Sequence, residues 1–131
     1  MNRRYLLDSD VLIAFLRGYP ETVLLLKNLA ETGAELTISA VTIIEIEAGI
    51  RGKEEEATLE LLGILGIHLL DKTTAHLAGS LLRQYRRKGI SLSLADVIIA
   101  ATAIAQNLTL VTYNVRHYPM PEVHIYSSLL K

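Results

Sequence analysis

Short apolar runs alternate with helix-length segments along nearly the whole chain, and this alternation constrains the fold more than any other feature. Residues 5–7, 36–39, 67–70, 108–111 and 123–126 read as strands. They lack the in-out alternation of a half-exposed sheet, as expected of strands covered on both faces. Between them, residues 11–17, 20–31, 41–50, 53–65, 73–88 and 93–106 have helical spacing. Gly18, Thr32-Gly33, Gly52 and Gly89 are stop signals, Pro20 suits a first helical position, and the acidic start of the fourth helix suits the helix dipole. The pattern predicts an α/β fold, a short parallel sheet of about five strands with helices on both faces. At 131 residues there is room for a single domain, spanning 1–131.

In a parallel sheet of this kind, ligands bind beyond the carboxyl ends of the strands. The residues expected there are Asp8 and Asp10 after the first strand, Ser39 with Glu45 after the second, and Thr112 to His117 after the fourth. Asp8 is well placed to cap the helix that follows it. Glu45 sits among Ile43, Ile44 and Ile46, which predicts a helix buried on more than one side. Gly49, four residues on, leaves space beside the carboxylate. Ser93-Leu94-Ala95-Asp96 fits a capping box, yet Asp96 shares a helix face with the small residues Ala100 and Ala103, which allow a close approach to the sheet. Three carboxylates at one sheet edge repel one another unless a cation lies among them. Hard oxygen donors in a chain without cysteine point to Mg²⁺, with Mn²⁺ as the alternative. Such an ion activates water and neutralises a phosphodiester under attack.

Composition excludes other readings. The net charge of −1 leaves any phosphate contact to a local patch or a metal. With six Tyr, one Phe and no Trp, a broad stacking surface for single-stranded bases is not expected. No apolar run is long enough to span a membrane and the first residues do not read as a signal peptide, so a cytoplasmic location is expected. Arg116, beside the inferred site, is a candidate phosphate contact, and Thr112 a candidate for orienting water or backbone. Arg83, Arg86, Arg87 and Lys88 crowd a helix C-terminus, where the dipole alone favours cations. The apolar helix 41–50 and the Leu-rich stretch 59–65 offer surface to a second chain.

Four segments in order complete the picture: Leu7-Asp8-Ser9-Asp10-Val11-Leu12-Ile13; Ile38-Ser39-Ala40-Val41-Thr42-Ile43-Ile44-Glu45 with Gly49; Leu94-Ala95-Asp96-Val97 through Ala103; and Leu110-Val111-Thr112-Tyr113-Asn114 with His117-Tyr118. In order and spacing the chain resembles the PIN domain, in particular the VapC-type ribonuclease toxins of toxin–antitoxin pairs. The resemblance implies a Mg²⁺-dependent endoribonuclease with RNA as substrate and a cognate antitoxin as partner; a homodimer is also expected. It carries the acidic metal ligands onto Asp8, Glu45 and Asp96. The family's fourth acid falls near Asn114 or His117, neither of them a carboxylate. Asn114, whose carbonyl oxygen suits Mg²⁺, is expected to take that place. Two other functions compete. Asp8 and Asp10 after one strand, with Ser39 after another, resemble the first motifs of haloacid-dehalogenase-type phosphatases, although Asp96 has no acidic neighbour to complete that pattern. The missing fourth acid also fits an inactive binding module.

Overall fold

The computed structural model describes residues 3–126, so Met1 and Asn2, part of the leader reading, lie outside the described residues. Five strands, β1 (Arg4–Leu7), β2 (Glu35–Ser39), β3 (Gly66–His68), β4 (Thr109–Val111) and β5 (His124–Ile125), form one parallel sheet in the order β3-β2-β1-β4-β5. Among the described residues six α-helices accompany the sheet: α1 (Ser9–Leu16), α2 (Pro20–Glu31), α3 (Ala40–Ala48), α4 (Glu55–Ile64), α5 (Lys72–Arg87) and α6 (Leu94–Ala105). The predicted α/β class and five-stranded parallel sheet are what the structure has.

Both faces of the sheet are covered, which explains the strands' continuous hydrophobicity. Leu6 and Leu110 enter one core with Ala78, Leu81, Val97 and Ile99 of α5 and α6. Tyr5, Leu7 and Val111 enter the other with Val11, Leu26, Ile46 and Leu62 of α1 to α4. Residues 97–103 of α6 are buried all round, and Ala100 and Ala103 are among them. Strand order reverses at β1, which has β2 on one side and β4 on the other. The carboxyl ends of β1 and β4 therefore form the switch-point crevice where such sheets bind ligands.

Several boundaries differ from the sequence expectation. β3 stops at His68, because its only partner, β2, ends opposite it at Ser39; Leu69 and Leu70 are left exposed. Leu108 is not in β4, since its N–H closes the end of α6 on the carbonyl of Ala103 while Asn107 takes a positive φ of 54°. The helix expected over 53–65 begins as a 3-10 turn at Gly52–Glu54, and α3 ends at Ala48 rather than reaching Ile50. Within this chain α3 packs into both cores, Val41 against one and Ile43 and Ile46 in the other, with Thr42 buried between them, while Ile44 on its outer face is 67% exposed. The apolar surface expected to meet a second chain is real at Ile44, Leu59 and Ile64. In the basic cluster, Lys88 Nζ lies 5.0 Å above the Tyr85 ring, a local cation–π contact. No helix among the described residues is long and apolar enough to cross a membrane.

Candidate active site

Asp8 stands at the switch point. Its N–H continues the β1–β4 ladder by donating to the Val111 carbonyl at 2.9 Å. Its Oδ1 caps α1 by accepting the Ser9 N–H at 2.7 Å. Its Oδ2 turns towards the segment after β4, accepting the hydroxyls of Thr112 at 2.7 Å and Tyr118 at 2.8 Å. Asp8 is buried, so these three donors hold a charge that would otherwise lack compensation. The capping role is thus genuine but occupies one oxygen only.

Asp96 reaches the same place from α6. Ser93 Oγ accepts the Asp96 N–H at 3.1 Å, so half of the expected capping box forms. The Asp96 carboxylate is directed elsewhere: Oδ1 lies 3.4 Å from the Tyr118 hydroxyl and Oδ2 lies 3.1 Å from His117 Nδ1. Asp8 and Asp96 therefore converge on one phenol. That phenol is held protonated, its pKa raised far above the ordinary value by burial and then by the charge of Asp8. Glu45 approaches from α3, and its Oε1 accepts the Ser9 hydroxyl at 2.6 Å. It also lines, with Gly49, a small cleft of about 100 Å³; a Cβ at Gly49 would meet only backbone oxygens, at 3.7 and 3.8 Å.

Asp10 faces another way. Its oxygens accept the N–H groups of Val11 at 2.8 Å and Tyr113 at 2.9 Å, stapling α1 to the loop after β4. Burial, and then repulsion from Asp8, push its pKa up to about 6. Thr112 is fully buried against Asp8 and also accepts the Asn114 N–H at 3.0 Å. Among the described residues, no hydrogen bond or ion pair joins the Asn114 side chain to the three acids; it lines a cleft with Asp10 instead. His117, the other candidate for the fourth position, is the one that touches Asp96. Arg116 is exposed in the same short turn. Two polar groups escaped sequence reasoning, the Ser9 hydroxyl and the Tyr118 phenol. Ser9 was readable as a polar residue between two acids, and Tyr118 as a tyrosine beside His117, but Ser9 meets Glu45 across 36 residues and Tyr118 meets Asp8 across 110.

Oxygen donors on three elements suit a hard divalent cation, and the repulsion felt by Asp10 marks a local surplus of negative charge. The acids are not drawn into a closed cage: among the described residues no three His, Cys, Asp or Glu side chains stand grouped closely enough to hold an ion as placed. Hydroxyl and imidazole groups occupy the lone pairs of Asp8 and Asp96 that face the crevice.

Two tests follow directly from this geometry. Tyr118→Phe removes a buried donor to a carboxylate and should cost about 1.5–3 kcal/mol, read as a lower melting temperature in EDTA; an unchanged melting temperature would mean that the Tyr118–Asp8 bond contributes nothing. For Asp10, the folded pKa of about 6 lies above the ordinary value of 3.8. The raised carboxyl therefore favours the fold fully below 3.8, and this contribution fades as pH rises through about 6. In EDTA, Asp10→Asn should gain on the wild type by about 1 kcal/mol between pH 4 and pH 7, solvent screening at this partly exposed group having been discounted. Parallel melting curves across that range would show that burial does not strain Asp10.

The PIN domain family matches residues 5–122. Ribonuclease VapC10 of Mycobacterium tuberculosis is 40% identical over 117 residues, covering 89% of this chain and 87% of that protein. Ribonuclease VapC19 of the same organism is 35% identical over 115 residues, covering 88% and 92%. Among solved structures, VapBC2 from Rickettsia felis, bound to a promoter DNA fragment, superposes with a TM-score of 0.82 at 25% identity, over 94% of this chain and 97% of that one. A toxin–antitoxin complex from Klebsiella pneumoniae superposes at 0.74 with 28% identity, over 91% and 94%. With a whole-domain match, relatives at this identity and the same fold, the chain belongs to the PIN-domain family, in its VapC branch.

Proposed function

We propose that this protein is a divalent-metal-dependent endoribonuclease, the toxin of a toxin–antitoxin pair, with Mg²⁺ as its ion and a cognate antitoxin as its partner. The reading is supported by the ribonuclease names of relatives at 35–40% identity and by fold neighbours that are toxin–antitoxin complexes. The observation that carries it is the delivery of Asp8, Asp96 and Glu45 from β1, α6 and α3 to one edge of the sheet, two of them meeting at the Tyr118 hydroxyl.

Asp8, Glu45 and Asp96 would hold the cation. A divalent ion bound there supplies activation of the attacking water and neutralisation of the phosphodiester. The chain's own work is orientation. Thr112 and Tyr118 fix the outward oxygen of Asp8, Ser9 fixes Glu45, and His117 restrains Asp96. Arg116, exposed beside them, offers its guanidinium to an RNA phosphate. A homodimer and a cytoplasmic location complete the reading, the exposed Ile44 and Ile64 giving a second copy apolar surface to cover.

The phosphatase alternative is not favoured. It needs Asp10 as a free general acid, whereas both Asp10 oxygens accept backbone N–H groups. Nor is an inactive module favoured, given relatives named as ribonucleases. The deciding experiment incubates purified protein with labelled RNA in Mg²⁺ or Mn²⁺, alongside a phosphomonoester. RNA should be cut internally, the monoester left intact, and cleavage stopped by EDTA. Cleavage undiminished by excess chelator would refute the metal-dependent reading.

A further inference from the structure

A second cleft, of about 450 Å³, adjoins the acidic edge between the α1–α2 turn and the loop after β4. That volume is within the range of small-molecule sites and admits a single nucleotide. Its lining combines two kinds of group that nucleic acid uses, aromatic rings and a cation. Tyr113 and Tyr19 supply the rings, and the two residues are 43% and 54% exposed. The Tyr113 ring is held at its tip, its hydroxyl bonded to that of Thr22, and its backbone is fixed by the main-chain N–H donating to Asp10 Oδ2 at 2.9 Å. Arg17, the C-terminal cap of α1, supplies the cation. Its backbone is fixed by an N–H bond to the Ile13 carbonyl at 3.0 Å, and its side chain is exposed. Arg17 also borders the small cleft lined by Glu45, so it stands between the second cleft and the acids. Among the described residues it has no carboxylate within ion-pair distance.

Resting on the ribonuclease reading, we infer that this cleft is a subsite for one nucleotide of the RNA adjoining the scissile phosphate. Arg17 binds the connecting phosphate and Tyr113 is the platform for the base. A guanidinium matches two phosphate oxygens at once. A phenol ring already fixed in place loses little freedom when a base stacks on it. Glu21, also on the wall, accepts hydrogen bonds and donates none, so it repels phosphate and suits the N–H edge of a base. The phosphate therefore belongs on the Arg17 side and the base on the side of Tyr113. Two tyrosines make a local subsite rather than a broad stacking surface, so the low aromatic content of the chain does not oppose it.

The test uses fluorescence anisotropy of a labelled single-stranded RNA octamer in EDTA, with steady-state cleavage in Mg²⁺ as the second readout. Tyr113→Ser should raise Kd about ten-fold, and Tyr113→Phe, which keeps the ring, should recover most of that loss. Arg17→Ala should raise Kd about five-fold and lower the slope of log affinity against log salt by about 0.7. In Mg²⁺ both variants should raise KM by more than they lower kcat. If wild type binds and cuts RNA but both variants match it in Kd and KM, the subsite is wrong and the ribonuclease reading stands. A loss confined to kcat would place these residues at the reacting centre and also overturn the subsite. Wild type that neither binds nor cuts RNA removes both. Arg17 and Tyr113 are exposed, and matching melting temperatures would exclude misfolding as the cause of any loss.

Discussion

Asp8→Asn should abolish RNA cleavage, with a loss of at least about 10²-fold, while Asp10→Asn should cost less than about ten-fold. The magnitude is that of removing one electrostatic group aimed at a developing charge. The two acids are two residues apart in one turn, and the contrast comes from what their oxygens face. Asp8 Oδ2 is turned into the crevice with Asp96, gripped by the Thr112 and Tyr118 hydroxyls. Asp10 spends both oxygens on backbone N–H groups and faces the neighbouring cleft. An amide at position 8 keeps an acceptor for the Ser9 N–H, and hydroxyl rotors can turn to accept its N–H₂ group, so the fold should survive. Initial rates of cleavage in Mg²⁺, with circular dichroism as the check on folding, measure both effects. A dead Asp10→Asn beside an active Asp8→Asn would reverse the assignment and revive the phosphatase reading.

What the sequence made legible is what one strand–helix unit decides by itself. Asp8 had to lie at a strand end because Tyr5-Leu6-Leu7 is an apolar run that stops there. Asp96 had to lie in a first helical turn because Ser93 precedes it by three residues. The shared sheet edge then followed from the parallel topology. What stayed hidden depends on contacts between distant segments. Tyr118 meets Asp8 across 110 residues and Ser9 meets Glu45 across 36, and no local pattern encodes either. The outer face of α3 was hidden for a related reason. A run of isoleucines shows that a helix is apolar, not that its own chain covers it, and Ile44 faces outward. For the fourth position, a one-dimensional match fell near Asn114 or His117, and the oxygen preference of Mg²⁺ favoured Asn114. The 3-10 turn at Val115–His117 separates them, bringing His117 to Asp96 and leaving Asn114 beside Asp10.

Mg²⁺ should raise the melting temperature of the wild type and do little for Asp96→Asn. A ligand that binds only the folded chain, at ten times its Kd, stabilises by about 1.4 kcal/mol, or roughly 5 °C for a domain of this size. In EDTA the variant should be no less stable than the wild type, for reasons visible at the start of α6. The helix cap is supplied by Ser93 Oγ, which accepts the Asp96 N–H whatever the side chain is. Losing the carboxylate forfeits its attraction to the helix dipole and to His117, together about 1 kcal/mol at a partly exposed site. It also relieves repulsion from Asp8, which lies just across the Tyr118 hydroxyl and is worth on the order of 1 kcal/mol at the effective dielectric of such sites. These terms nearly cancel, leaving the response to Mg²⁺ as the discriminating quantity. Were Asp96 simply a helix cap, the variant would melt lower by a similar margin with and without Mg²⁺, and the wild type would ignore the ion. Four melting curves, two proteins each in EDTA and in millimolar Mg²⁺, separate a metal ligand from a cap, because only a ligand makes the effect of the substitution depend on the metal.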